Sequence, residues 1–135
     1  MRELCNTSGE MEFDGLLTGL TPANQVSGGT IAATGTETTY VRGTVFAKSS
    51  NDNMLYILGT EPAEDDDGDP IETLTPDCIL CDDITVGASG DETVAVYTAG
   101  CFDPNKVTLA ASYDMTESDK DELRMRNIVF KAATK

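Results

Sequence analysis

The sequence contains no histidine and no tryptophan. Histidine is the commonest general base and the commonest metal ligand in proteins, so its absence disfavours both an enzyme and a metal site. No apolar run approaches the roughly 18 residues of a membrane-spanning helix, and residues 1–6 show an early glutamate in place of the apolar core of a secretory signal. We therefore expect a non-enzymatic protein without cofactor or metal, made and folded in the cytoplasm.

Basic residues are also scarce. Nine lysines and arginines stand against 24 aspartates and glutamates, which gives a formal net charge of −15. Nucleic acids and anionic membranes both attract positive charge, so neither is an expected partner. The length of 135 residues and the hydrophobic fraction of 39% favour one globular domain with its own core.

The N-terminal third differs in composition from the rest. Residues 1–38 are rich in glycine, serine and threonine, and their one apolar cluster lies at residues 13–20. Such a segment buries too little surface to offset the entropy of ordering it. We expect residues 1–38 to form a flexible N-terminal arm and residues 39–135 to form the body; a simple frayed terminus is the alternative.

The body has a mainly β (α+β) pattern. Residues 39–48 alternate like a half-buried strand, with Gly43 placed where a bulge or a close backbone approach is required. A turn and residues 54–58 then predict a hairpin, and further apolar runs predict strands at 78–81, 93–98 and 128–130. Two short helices are expected, one starting at Asp103-Pro104 and one near Thr116, because both places carry N-terminal capping residues.

The acidic segment 61–70 invites a calcium-binding interpretation. Counted from Asp65, position 6 of an EF-hand loop would be Pro70 and position 12 would be Pro76. The template requires glycine and glutamate there. The segment is therefore interpreted as a solvated acidic loop.

The cysteines invite zinc or redox chemistry. Cys78 and Cys81 are three residues apart in a predicted strand, so their side chains point to opposite faces and cannot coordinate one metal ion. Cys5 and Cys101 do not form the second pair that a structural zinc site requires. Buried, reduced thiols are the expected state.

Paired carboxylates leave one enzymatic alternative open. Asp82 and Asp83 follow an apolar strand, and two carboxylates are the machinery of glycoside hydrolysis. Adjacent acids at that position are more often a solvated strand end. A small hydrolase would require the two groups to converge in a pocket.

Five segments occur in an order that resembles a known family. They read "FDGLLTG", "YVRGTVFAK", "PDCILCDDI", "AVYTAGCFD" and "LRMRNIVFK", and they span residues 13–131. This order is similar to the head decoration proteins of tailed phages, of the lambda protein D type. The resemblance implies a small β-tulip body and a homotrimer on the threefold positions of an expanded capsid. It also implies a cement function: the trimer stabilises the shell against the pressure of packaged DNA.

The resemblance implies the major capsid protein as partner and the outer capsid surface of the virion as location, after synthesis in the host cytoplasm. The arm is expected to order on the capsid and to add a strand to it. By motif, the capsid-binding residues are Phe13, Asp14, Leu16, Leu17, Tyr40, Val41, Arg42 and Gly43. The loop 61–70 and the cysteine pair depart from the family pattern. A carbohydrate- or receptor-binding module on the virion surface is the alternative function, although aromatic residues make up only 6% of the chain.

Overall fold

The computed structural model describes residues 16–19 and 22–131. This part of the chain is mainly β, as the sequence predicted. The elements in chain order are β1 Leu17–Gly19, β2 Gln25–Ile31, β3 Thr38–Tyr40, β4 Val45–Ser49, β5 Leu55–Ile57, β6 Leu74–Leu80, β7 Ile84–Val86, β8 Glu92–Phe102, α1 Glu117–Met125 and β9 Ile128–Phe130. The one helix of the described residues is not long and apolar enough to cross a membrane.

Five strands form a small barrel-like ring. Going around it, β8 pairs with β2, β2 with β5, β5 with β4, β4 with β6, and β6 again with β8. Strand β8 takes part in two groups of strands. Its last three residues extend beyond the ring and pair with β1 and β9. Closing a sheet in this way pairs strand edges that water or another chain would otherwise reach.

Side-chain alternation on the ring strands produces two separate apolar cores. The first, the inner core, must lie inside the ring, because it joins residues from all five of its strands. Its members are Ile31, Phe46, Leu55, Cys78, Leu80 and Val96, capped by Tyr40 and Val86 of the β3–β7 ribbon. The neighbouring residues on the same strands, such as Val45, Ile79 and Tyr97, face outward and pack with α1 and β9 in the outer core.

The predicted hairpin and the predicted break at Gly43 are both confirmed. Strands β4 and β5 pair antiparallel, while residues 39–48 are two strands and not one. Gly43 separates them with φ +95°, and a Cβ built on it would lie 3.0 Å from the carbonyl oxygen of Lys106. Both the backbone angle and the close approach of another segment require glycine there.

The second predicted helix is confirmed and the first is not. Thr116 caps α1, accepting from the Asp119 N–H at 3.0 Å, and the Asp119 carboxylate accepts from the Thr116 N–H at 3.1 Å. After Asp103-Pro104 the chain instead forms a turn, closed by the Lys106 N–H donating to the Asp103 carbonyl at 3.0 Å. An aspartate before proline initiates turns through the same side-chain hydrogen bond that caps helices. The described residues therefore hold one α-helix.

The expected boundary at residue 38 does not separate an arm from a body in the described residues. Strand β2 pairs with β8 along its whole length, and Leu16 and Ile31 are 1% and 0% exposed. This segment buries little surface by itself, but β8 supplies its backbone partners. The part of the expected arm that contains Phe13 and Asp14 lies outside the described residues.

Candidate functional site: an open strand edge at the barrel mouth

The ring is incompletely closed between β2 and β5. On this side β2 pairs only at Ile31, opposite Leu55, with the Ala32 N–H donating to the Leu55 carbonyl at 3.1 Å. Every second residue of a strand directs its backbone groups to the same side, so Gly28 and Thr30 face β5 as Ala32 does. The same parallel bridge uses the Thr30 carbonyl as the acceptor of the Leu55 N–H, and no described strand forms a further bridge with residues 25–30 on this side. We call this the β2 edge.

The side chains along the β2 edge leave it accessible. Val26 is 57% exposed, and a Cβ built on Gly28 would meet nothing within 4 Å. Gly29 is different, because its Cβ would lie 2.7 Å from Cδ1 of Leu55. Gly29 therefore makes room for the inner core, while Gly28 leaves open space next to unpaired backbone groups.

A groove runs from this edge across the mouth of the ring. It consists of a cavity of about 370 Å³ and a second one of about 270 Å³, which have Lys48, Asn53 and Asp77 in common. Inner-core residues Leu55, Cys78 and Val96 line the first cavity. Hydroxyl-bearing residues and Arg126 line the second, and its full lining is Lys48, Ser49, Ser50, Asn53, Thr73, Thr75, Asp77 and Arg126. We call the two cavities together the mouth groove.

A β-bulge explains why Asp77 reaches the groove. The register between β4 and β6 passes from Cys78 to Pro76 and leaves Asp77 unmatched. Bulges re-aim a side chain in this way. Arg126, just after α1, closes the far end of the groove: its Nε donates to the Pro76 carbonyl at 2.9 Å, and its Nη1 lies 4.0 Å from Asp77 Oδ1.

Lys48 is the second cation of the groove. It lies on β4 two residues after Phe46, so its side chain points to the inner side of the ring. Among the described residues no carboxylate lies within 4.0 Å of its ammonium group. Arg126, by contrast, also pairs with Glu122 at 3.2 Å.

The thiols of this region are unsuited to nucleophilic chemistry. Burial raises the pKa of the Cys78 thiol above its ordinary value of 9.0, and the charge of Asp77 raises it further. Burial, followed by the charge of Asp82, raises the pKa of Cys81 to about 11. Both thiols are protonated at neutral pH. They lie in different cores, as their spacing in a strand predicted, and Cys101 is buried and free as well.

Most of the described residues expected to bind a capsid have internal positions. Leu16 is 1% exposed and belongs to the outer core, and Leu17 is half-buried in β1. Tyr40 packs edge-on against Phe46 with ring centroids 5.2 Å apart, and burial raises its pKa. These side chains hold the fold together and present little surface to a partner.

The turn after Tyr40 follows the same pattern. Arg42 donates to the Cys81 carbonyl at 2.9 Å, and Gly43 is buried. Val41 is the exception: it is 44% exposed, so it is the one side chain of this turn that a partner can contact extensively.

The two acidic motifs have structural explanations. Asp65 Oδ1 accepts from the N–H groups of Asp67 and Asp69, each at 2.9 Å, which shapes the exposed loop and brings the three carboxylates within 4.8 Å of one another. The sequence template did not reveal this convergence. Asp83 Oδ1 accepts from the Arg42 N–H at 2.7 Å, and Asp82 is exposed, so this pair does not converge in a pocket.

Comparisons with protein-family models and with curated proteins give no match to this chain. The β2 edge and the mouth groove are therefore interpreted from their geometry. Sequence reasoning missed both. The only local signal was the pair Gly28-Gly29 beside Val26 and Ile31, a strand interrupted where another backbone or side chain comes close.

Proposed function

We propose that this protein is a capsid decoration protein of a tailed phage. It binds the outer surface of an expanded capsid as a homotrimer and stabilises the shell against the pressure of the packaged DNA. Two observations support the proposal: the order of sequence segments resembles that family, and the β2 edge offers a place for strand addition. The second observation carries the argument, since it belongs to the folded chain itself.

The β2 edge suits recognition by an extended segment of another protein. Among the described strands, no partner faces the N–H and C=O groups of Gly28 or the N–H of Thr30 on this side, and these groups provide the donors and acceptor that an added strand requires. Natural proteins usually cover or shorten such edges, because an open edge invites association. Val26 adds apolar surface, and burying the 57% of it that is exposed would contribute about 1 kcal/mol.

Trimer formation would make a weak contact effective. A single short strand gives modest affinity, but three edges held together bind with a high effective concentration once the first is seated. The threefold positions of a capsid present three equivalent partner segments in the same symmetry. The compact β ring is also consistent with the β-tulip body that the resemblance implies.

The charge of the chain fits an outer position. A net charge of −15 disfavours contact with packaged DNA and favours a surface that faces solvent. The expected arm, with Phe13 and Asp14, precedes β1, and we propose that it makes a second contact with the major capsid protein.

Co-sedimentation with expanded shells of the cognate major capsid protein tests the proposal. We expect the protein to pellet with the shells at three copies per threefold position, and sedimentation of the free protein to give the mass of a trimer or of a monomer that trimerises on the shell. Protein that stays in the supernatant at concentrations well above that of the sites would contradict the proposal.

A further inference from the structure

We propose that Lys48 makes the β2 edge selective, favouring an added strand that carries an aspartate or glutamate side chain facing the mouth groove. The inference rests on the proposed strand addition and names the chemistry of the partner segment. The occupant is an extended segment of the partner protein that carries a carboxylate.

The position of Lys48 links it to the edge. Gly28, Gly29 and Thr30 line the same cavity as Lys48. Phe46 belongs to the inner core and Ala47 to the outer core, so Lys48 points inward by strand alternation. We infer that a strand laid along the β2 edge lies over the cavity that Lys48 lines and takes its ammonium group out of water.

Covering this ammonium group without a partner costs free energy. Lys48 is now exposed to water and has no carboxylate within 4.0 Å among the described residues. Asp77 lies in the same groove but is next to Arg126, at 4.0 Å. A charge removed from water is destabilising unless a counter-charge comes with it. An incoming carboxylate supplies that charge and turns the penalty into an ion pair.

The same residue disfavours the pairing of two copies through their β2 edges. Residues 25–31 read Gln-Val-Ser-Gly-Gly-Thr-Ile and contain no acid. Pairing β2 with β2 of a second copy would cover two lysines and bring no carboxylate to either. Charges that point inward at a strand edge protect natural sheets from such pairing, and selectivity commonly comes from a penalty against the wrong partner.

Two blocked peptides test the inference. They alternate threonine and valine, carry either glutamate or glutamine at the central position, and are acetylated and amidated so that no terminal charge competes. Amide shifts of Gly28, Gly29 and Thr30 in the ¹⁵N-labelled full chain report binding. We expect the glutamate peptide to bind about fivefold more tightly, the upper range for a partly exposed ion pair.

Lys48→Met removes the positive charge and keeps a side chain of similar length. Lys106→Met is the matched control, because it removes the same charge from an exposed position that does not line the groove. We expect Lys48→Met to bind both peptides equally and Lys106→Met to keep the preference. If the unaltered protein binds both peptides equally, or if Lys48→Met still prefers the glutamate peptide, the selectivity of Lys48 is contradicted, while strand addition at the β2 edge is not. If neither peptide shifts the β2 amides, strand addition itself is contradicted, and the selection with it.

Discussion

The Arg42 guanidinium donates to the Tyr97 hydroxyl at 2.8 Å and lies 5.5 Å from the centroid of the same ring. One side chain thus ties the turn between β3 and β4 to the centre of β8, through a hydrogen bond and a cation–π contact. Tyr97 in turn packs against Phe102, with ring centroids 5.4 Å apart. Arg42 therefore connects the inner-core cap to the outer core.

Replacing Arg42 with alanine should destabilise the fold by about 2 kcal/mol, because it removes charge-assisted hydrogen bonds to partly buried acceptors. The measurement is urea unfolding followed by circular dichroism. Arg124→Ala is the control: its pair with Asp121 is exposed on both sides and should contribute under about 0.5 kcal/mol. Equal effects of the two variants would show that the Arg42 contacts add nothing specific.

Gly43→Ala should be more damaging than its size suggests. The new Cβ would meet the Lys106 carbonyl at 3.0 Å, at a residue with φ +95°. Strain of this kind costs about 1–3 kcal/mol. Gly28→Ala makes the same chemical change where a Cβ meets nothing within 4 Å, and it should be nearly neutral. A neutral Gly43→Ala in thermal unfolding would refute the close backbone approach.

The buried thiols predict a loss of stability at alkaline pH. Because folding raises the pKa of Cys78 above 9.0, the unfolded chain loses this proton first. Its contribution is then fully present below pH 9 and declines as the pH rises beyond that value. We expect the free energy of unfolding in urea to be lower at pH 10 than at pH 8, by about 1 kcal/mol for each of Cys78 and Cys81.

Cys78→Ala provides the comparison for that measurement. We expect the variant to be less stable at pH 8, because the substitution removes a buried sulfur atom from the inner core. Its free energy of unfolding should nevertheless fall less between pH 8 and pH 10 than that of the unaltered protein. The same loss in both proteins would show that the Cys78 thiol does not titrate differently in the folded and unfolded chains.

Local chemistry made part of this fold predictable. The capping residues Thr116 and Asp119 fix the start of α1, and Gly43 marks a backbone angle and a contact that only glycine tolerates. Alternation predicted that Cys78 and Cys81 lie on opposite faces. Each of these inferences depends on residues that are near one another in the sequence.

The remainder depends on distant pairing. Strand β2 is stabilised by β8, so its glycine-rich composition misled the expectation of a separate arm. Asp103-Pro104 begins a turn as readily as a helix, and the following residues decide between the two. The mouth groove brings together Lys48, Asp77 and Arg126 from three separate elements, and Asp77 faces it only because of a bulge in the register.

The central claim is that the β2 edge carries the attachment to the capsid, and co-sedimentation of two Gly28 variants with expanded shells tests it most directly. Gly28→Pro removes the N–H that faces the open side, and edge strands tolerate proline there because β8 does not use that donor. Gly28→Ala keeps the donor and fits the open space. Both should fold like the unaltered protein in circular dichroism.

We predict that Gly28→Ala still pellets with the shells while Gly28→Pro loses at least about tenfold in affinity, since several backbone hydrogen bonds depend on the blocked edge. Full co-sedimentation of a folded Gly28→Pro would contradict the account.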